Sequence, residues 1–308
     1  GNAYDDGAIT GSNMIINGDF SVSQRGDYTS ASGVSNDVYY LDRWKVHSGV
    51  AGTLQDTGHK VKVVATSTAS GVLAISQSIE DKNIHPHKGK VVTVSCKVTS
   101  NSSNARIVIY ADNWIALGSQ NDVHSGGGNE ETLSATFTVP SDLSGFLQVR
   151  VGFENAASNG DPSVSSNDYF EVSEVKLEVG DTATPFEHRS YAEELAKCKR
   201  YYQVYGGGSN YHPFAAIGTY SSSNGVGYLD LEFNMRTVPT SSTVGTFQAS
   251  NGVTSTCTIS LSGFAEPDGG CKLIQVFATN GSGFINGYFM RVRANNDATT
   301  RLKFDAEL

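Results

Sequence analysis

The chain contains little that would staple or stiffen it: four cysteines and seven prolines in 308 residues. Cys96, Cys198, Cys257 and Cys271 form no C-x-x-C pair and no regular ladder, which excludes a thiolate zinc site and a disulfide-framed small scaffold. Cys96 shares strand parity with Val92, Val94 and Val98 and reads as a small buried apolar residue. Cys257 and Cys271 could meet across a hairpin if their Cα atoms approach; free thiols are expected throughout. No apolar run approaches the ~20 residues of a bilayer-spanning helix, and the polar start GNAYDDGAIT is not a signal peptide, so no membrane insertion is expected. Charged residues make up only 17% of the chain, with a net charge of −9. Such a balance disfavours a nucleic-acid groove, which needs a basic field. No G-x-S-x-G, H-E-x-x-H or P-loop occurs. Cleaving a glycan would take two carboxylates ~5–10 Å apart; Asp112, Asp122, Glu154 and Asp161 lie in or near loops, and linear sequence brings no two of them together. No catalytic residue is assigned and no enzyme is expected.

Abundant instead are glycine, 33 residues, and short segments that alternate in twos. In LSATFTV, Leu133, Ala135, Phe137 and Val139 fall on one side, while Ser134, Thr136 and Thr138 fall on the other. LQVRVGF repeats this with Leu147, Val149, Val151 and Phe153. Such runs are half-buried antiparallel strands; Leu73–Ile79, Val92–Val98 and Ile107–Tyr110 read likewise. Pro140, Gly145 and the loops NSSN and SGGGNE separate them. Repeated short strands with turn signals imply a jelly-roll β-sandwich. In YFEVSEVKLEV the parity switches between Val172 and Val175, the mark of a β-bulge near Ser173–Glu174.

The run SYAEELAKCKRYYQ breaks the period of two. Ser190 and Glu193 form a capping box, acidic residues open the helix and Lys197, Lys199 and Arg200 close it, as its dipole favours. Tyr191, Leu195, Cys198 and Tyr202 are spaced 4-3-4. That stripe either docks on the protein's own sheet or packs at an oligomer axis. Beyond GGGSN alternation resumes, with Leu229, Leu231, Phe233 and Met235, and the chain closes on Leu302, Phe304, Ala306 and Leu308. The length suits two cores. The expected fold is all-β: an N-terminal jelly-roll sandwich, a short connecting α-helix and a C-terminal β-sandwich. The expected divisions are residues 1–12 as lead-in, 13–180 as jelly roll, 181–203 as linker and capped helix, and 204–308 as the C-terminal domain.

MIINGDFSVSQRG followed by LDRWKV resembles the start of carbohydrate-binding-module-like jelly rolls in bacteriophage tail proteins. FEVSEVKLEVGDTATPFEHRSYAEELAKCKRYYQ is similar to the segment that follows such jelly rolls in phage tail fibre and receptor-binding proteins, and FNMRTVPT and FDAEL resemble their last domain. The resemblance spans Met14 to Leu308. It implies a virion tail fibre or tail-tip component, exposed outside the cell, that binds host-surface glycan as a homotrimer alongside other tail proteins, with residues 204–308 as candidate receptor-binding tip. It also implies a possible structural calcium, for which Gly18 and Asp19 match one half of the site. Val172-Ser173-Glu174-Val175 stands where an acidic pair is usual, leaving Glu174 as the second contributor; no other cofactor is required. Three alternatives stay open: a purely structural virion protein, a glycan depolymerase and a bacterial adhesin.

Sugars stack their C–H faces on flat aromatic rings and bond amides and carboxylates through their hydroxyls. Trp114, flanked by Asp112 and Asn113, is one candidate platform. Tyr205, Tyr211, His212 and Tyr220 in a Gly/Ser-rich stretch are another, unless they are oligomer contacts. Trp44 is expected in the core. The pair His85 and His87 reads as a solvated loop ahead of the Val91 strand.

Overall fold

The computed structural model describes residues 13–111, 115–117, 123–155, 160–251, 254–280 and 283–308. The chain divides into two compact units, the boundary falling between Glu194 and Leu195. Each has its own hydrophobic core.

The first unit is a sandwich of two six-stranded antiparallel sheets. One runs in the spatial order Ser32–Gly33, Gly52–Asp56, Val61–Ala65, Tyr169–Val179, Val91–Ser100, Glu130–Thr138. The other runs Ile115–Leu117, Ala105–Ala111, Leu147–Phe153, Leu73–Ile79, Trp44–Ser48, Val38–Leu41. Alternation dictates the layers. Leu133, Ala135 and Phe137 lie opposite Cys96, Val94 and Val92, and all six are buried. From the facing sheet come Leu147, Val149, Val151 and Phe153, all buried, and Phe153 meets Phe170 edge-on at 5.1 Å.

The parity switch is a bulge. Pairing with the Val91–Ser100 strand shifts between Ser173 and Lys176, and Glu174 takes a left-handed φ of 54°. Beyond it Val175 and Leu177 enter the core, which turns Lys176 and Glu178 to the other face. There the two pair at 3.1 Å beneath the TATP turn: Glu178 accepts from the Thr184 amide (2.7 Å) and Lys176 donates to the Pro185 carbonyl (3.1 Å). Both charges are buried but fully bonded, the condition under which an interior ion pair is tolerated.

The N-G-D-F turn closes the sandwich. Asn17 adopts a left-handed φ of 57°, as an asparagine tolerates. Its side chain donates to the carbonyls of Val22 (2.8 Å) and Asp42 (3.0 Å), and its own carbonyl accepts from the Trp44 indole (2.8 Å). Trp44 is therefore a core residue, tilted against Phe20 at 5.1 Å. Gly18 has no substitute, since a Cβ there would lie 2.2 Å from the Val175 carbonyl oxygen. The later motif locks onto this turn. Buried Glu194 accepts from the Asn17 amide, and Arg189 pairs with Glu194 at 3.1 Å while donating to Ile15 (3.2 Å) and Asn13 carbonyls.

The capping box forms as read, with the Ser190 amide donating to Glu193 at 3.0 Å and the Glu193 amide to Ser190 Oγ at 3.4 Å. The helix runs Tyr191–Lys199 and tightens at its end through three-residue bonds, Arg200 to Lys197 and Tyr201 to Cys198. Tyr202 consequently begins a strand. The 4-3-4 stripe is thus not one helical seam: Tyr191 is 59% exposed, Cys198 and Tyr202 are buried, and Leu195 is intermediate.

The second unit is all-β like the first, but it closes instead of layering. Pro213–Thr219, Asn224–Met235, Cys271–Thr279, Thr254–Gly263, Phe247–Ser250 and Phe289–Ala294 form a closed barrel in that order. The expected open sandwich is replaced because the Phe289–Ala294 strand pairs on both edges, with Pro213–Thr219 and with Phe247–Ser250. A three-stranded sheet, Tyr202–Gly206, Arg301–Asp305 and Thr240–Val244, completes the unit. Its central strand is the last of the chain, with Leu302 and Phe304 fully buried. His85–His87 forms a single 3₁₀ turn after a short helix rather than an open loop, since Pro86 presets a helical φ. All four cysteines are free and buried. No helix among the described residues is long and apolar enough to cross a membrane.

Candidate functional site

The strand LQVRVGF sends its odd-numbered side chains into the core, so Gln148 and Arg150 stand on the outer face of the second sheet. Register then dictates their neighbours. Arg150 lies opposite Ser76 on one side and Val108 on the other, and Ser76 lies opposite Lys45. Gln148 lies opposite Ser78 and Tyr110. His47 lies one row along, opposite Ala74. Four strands thus bring a band of polar side chains to one face of the sandwich.

These groups are bonded into a chain. Gln148 donates to Ser78 Oγ (3.0 Å), Arg150 Nε to Gln148 Oε1 (2.7 Å), and Arg150 NH1 to Glu154 Oε2 (2.9 Å). The Tyr110 hydroxyl donates to Glu154 Oε1 (3.2 Å), and the Arg150 guanidinium sits 4.6 Å from the Tyr110 ring centre. On the other flank His47 Nε2 lies 2.9 Å from Ser76 Oγ, and His47 Nδ1 lies 3.4 Å from Asp37, which also holds Lys45 at 3.5 Å. Lys45 and Arg25 both approach the Tyr39 ring, at 5.9 and 5.0 Å. Glu154, Tyr110, Gln148, Ser76 and His47 are all buried, so the band is withdrawn from solvent rather than a wet face.

Burial sets its protonation. Desolvation, aided by Arg150 and Lys45, pulls His47 down to about 3, leaving a neutral imidazole at neutral pH. Burial lifts Glu154 above the usual carboxylate range despite Arg150, and lifts the Tyr110 phenol to about 12. Arg106, opposite Gly152 on the same sheet, is also lowered by burial, and its Nε has no hydrogen-bond partner. The band therefore combines fixed donors, a neutral imidazole, hydroxyls, an amide and a carboxylate beside an aromatic ring. It is equipped to hold a hydroxyl-rich ligand, and its buried carboxylate, Glu154, is engaged by Arg150 and Tyr110.

Glu154 was noticed in the sequence only as a loop acid. The remaining members were missed because polar residues on alternating strand positions read as a wet face. The usable signal was Arg150 and Gln148 between four core residues of one strand. Asp112, Asn113 and Trp114 lie outside the described residues; the strands on either side, Ala105–Ala111 and Ile115–Leu117, pair at the edge of this sheet.

In the second unit the four aromatic candidates do not converge. Tyr205 is structural: its hydroxyl donates to Gln203 (3.0 Å) and accepts from the Glu232 amide, and its ring packs on Phe304 at 5.8 Å. His212 packs on Phe214 at 5.1 Å. Tyr211 and Tyr220 are exposed, near opposite ends of the strand pair Pro213–Thr219 and Phe289–Ala294.

The residues implied for calcium do not offer it a donor set. The Gly18 carbonyl accepts from the Val175 amide (2.8 Å), and Glu174 is ion-paired to Lys97 at 2.8 Å. Asp19 Oδ1 accepts from Ser21 (2.8 Å), while Oδ2 faces His188 and His59 nitrogens at 3.5 and 3.7 Å. Calcium takes six to eight oxygens; an ammonium and two imidazoles occupy the surroundings instead. Among the described residues no group of three or more His, Cys, Asp or Glu is arranged to hold a metal.

No family model and no curated protein matches the chain. Among solved structures it is similar to the CBM4 module, at 15% identity over 53% of this chain and 98% of that one, with a TM-score of 0.33. It is similar to the C-terminal family 22 carbohydrate-binding module of Clostridium thermocellum Xyn10B, at 13% identity over 49% and 99%, TM-score 0.30. It is also similar to the tandem CBM22 modules of Paenibacillus barcinonensis Xyn10C, at 11% identity over 93% and 98%, TM-score 0.30. All three are carbohydrate-binding modules. At these TM-scores the likeness carries no weight for function, which has to be argued from the polar band itself.

Proposed function

We propose that the chain is a non-catalytic glycan-binding protein that holds carbohydrate over the outer face of the second sheet of its first unit. The observation that carries this reading is the buried polar band Lys45–Ser76–Arg150 with Gln148, Tyr110, Glu154 and His47. Polar side chains are buried on the side of the sheet that turns away from the hydrophobic core, where nothing in the fold requires them. Pre-bonded donors and acceptors spend little entropy on holding a ligand's hydroxyls.

The setting we propose is a virion tail fibre or tail tip, with host-surface glycan as ligand, other tail proteins as neighbours and a homotrimer as the working assembly. Support for it is the pair of motifs resembling phage tail proteins. Here they are physically one device, since Arg189 and Glu194 of the later motif bond the Asn13–Asn17 turn of the earlier one.

Glycan-array screening of the full chain, followed by calorimetry on the hits, tests the reading. Gln148→Ala and Ser76→Ala are expected to weaken binding about tenfold each, the worth of one or two hydrogen bonds, and to cost about 1–3 kcal/mol of stability because each leaves a buried partner unpaired, so binding is measured well below the variants' thermal midpoints. Binding that survives both substitutions unchanged, or no glycan bound at all, would sink it.

A further inference from the structure

The second unit carries a separate surface that the polar band does not account for. Along FMRVRA, Met290, Val292 and Ala294 are buried in the barrel, while Phe289, Arg291 and Arg293 face outward. Phe289 is 81% exposed, and Tyr288, Ile285 and Tyr220 near it are 57%, 45% and 58% exposed. They are joined through Thr219, whose amide donates to Tyr288 (2.9 Å) and whose hydroxyl donates to Ile285. Single exposed apolar residues are ordinary, but a contiguous group is a contact surface.

The adjoining strands are built low around Phe289 and Arg291. Gly218 lies opposite Phe289 and Ala216 opposite Arg291 on one side. Ser250 lies opposite Arg291 on the other. The result is a shallow groove lined by Ala216, Ser250, Asn251, Phe289, Met290 and Arg291.

Charge identifies what fits it. On a chain of net charge −9, arginines usually find carboxylates, and every carboxylate of the second unit is among the described residues. Neither Arg291 nor Arg293 pairs with one. Arg293 stacks instead on the exposed Tyr211 at 5.1 Å, and its Nε is buried without an acceptor. A guanidinium fork matches a carboxylate bidentately, and an aromatic face beside it suits the C–H face of a sugar ring.

We propose that this groove binds a carboxylated pyranose, a uronate or sialate residue, with Phe289 as stacking platform and Arg291 as carboxylate anchor. A neutral sugar would leave the guanidinium unused. The site lies wholly within the second unit and does not depend on the polar band of the first.

The test is calorimetry of the full chain with trigalacturonate and with sialyllactose, which separate the two sources of the carboxylate. Lactose and the methyl ester of trigalacturonate serve as neutral controls. At least one acid is expected to bind, weakening as salt rises, with its neutral counterpart at least about tenfold weaker, as loss of a charge-assisted bond implies. Arg291→Gln and Phe289→Ala should each reproduce that loss. Failure of both acids, equal binding of acid and ester, or indifference to both groove substitutions would overturn the proposal. So would light scattering showing that Phe289→Ala breaks up an oligomer, since the patch would then be covered by a second copy. Because the ester comparison uses the unaltered protein, it decides even if a variant misfolds.

Discussion

His47 shows what a single residue's surroundings do to this protein's acid tolerance. Its ordinary proton affinity lies near 6.5, but burial beside Arg150 and Lys45 defers protonation in the fold to about 3. Below pH 6.5 the unfolded chain takes up a proton that the fold refuses. The stability His47 contributes is therefore complete above that pH and is lost progressively as pH falls toward 3. Urea midpoints measured near pH 7, 5.5 and 4 should fall accordingly, and His47→Gln should flatten that fall. A variant with the same slope as the parent would assign the acid sensitivity elsewhere. Arg150 is more demanding. Removing it strands the buried Glu154, and Arg150→Ala should cost about 3–5 kcal/mol, the range for half of a buried pair, read from chemical denaturation. Thiol chemistry is a simpler check: the four buried cysteines, with Cys257 pushed up to about 11 by burial, should resist a thiol reagent until the chain is unfolded.

At the scale of elements, alternation and capping were legible and closure was not. The strand Glu130–Thr138 alternates as read, whereas Leu73–Ile79 and Leu147–Phe153 are buried on both faces and lack the expected wet side, and the bulge at Ser173–Glu174 showed as a change of phase. Ser190→Ala should lower stability by about 1 kcal/mol through loss of the cap, measurable as a small shift in the denaturant midpoint. Gly18→Ala is expected to do far more, because its Cβ would overlap the Val175 backbone carbonyl. An unchanged midpoint for Gly18→Ala would contradict the close approach described here. The helical stripe misled because its spacing is local, whereas Tyr202 is claimed by pairing with Asp305 a hundred residues away.

For the whole molecule, the proposed homotrimer turns shallow sites into useful ones. Weak contacts presented in fixed geometry gain avidity by ~10²–10⁴ without any new interaction. Light scattering coupled to size exclusion should give three times the chain mass at low and high concentration, and a persistent monomer would remove avidity from the mechanism. Chelation is a second whole-molecule test. With Glu174 committed to Lys97 and Asp19 facing two histidines, EDTA should leave the thermal midpoint unmoved, and a clear drop would show a calcium held by donors other than these.

Sequence by itself determined the all-β class, the strand faces, the bulge, the capped helix and the free thiols, because each depends on residues a few positions apart and on side-chain parity. Tertiary structure alone decided that Gln148, Arg150, Ser76, Lys45 and Tyr110 share one sheet face, that the second unit closes into a barrel, and that Phe289 and Arg291 border one groove. Those facts depend on which strands pair and in what register. Pairing is settled by the packing of whole sheets, where partners distant in sequence meet, and no local pattern of residues records it.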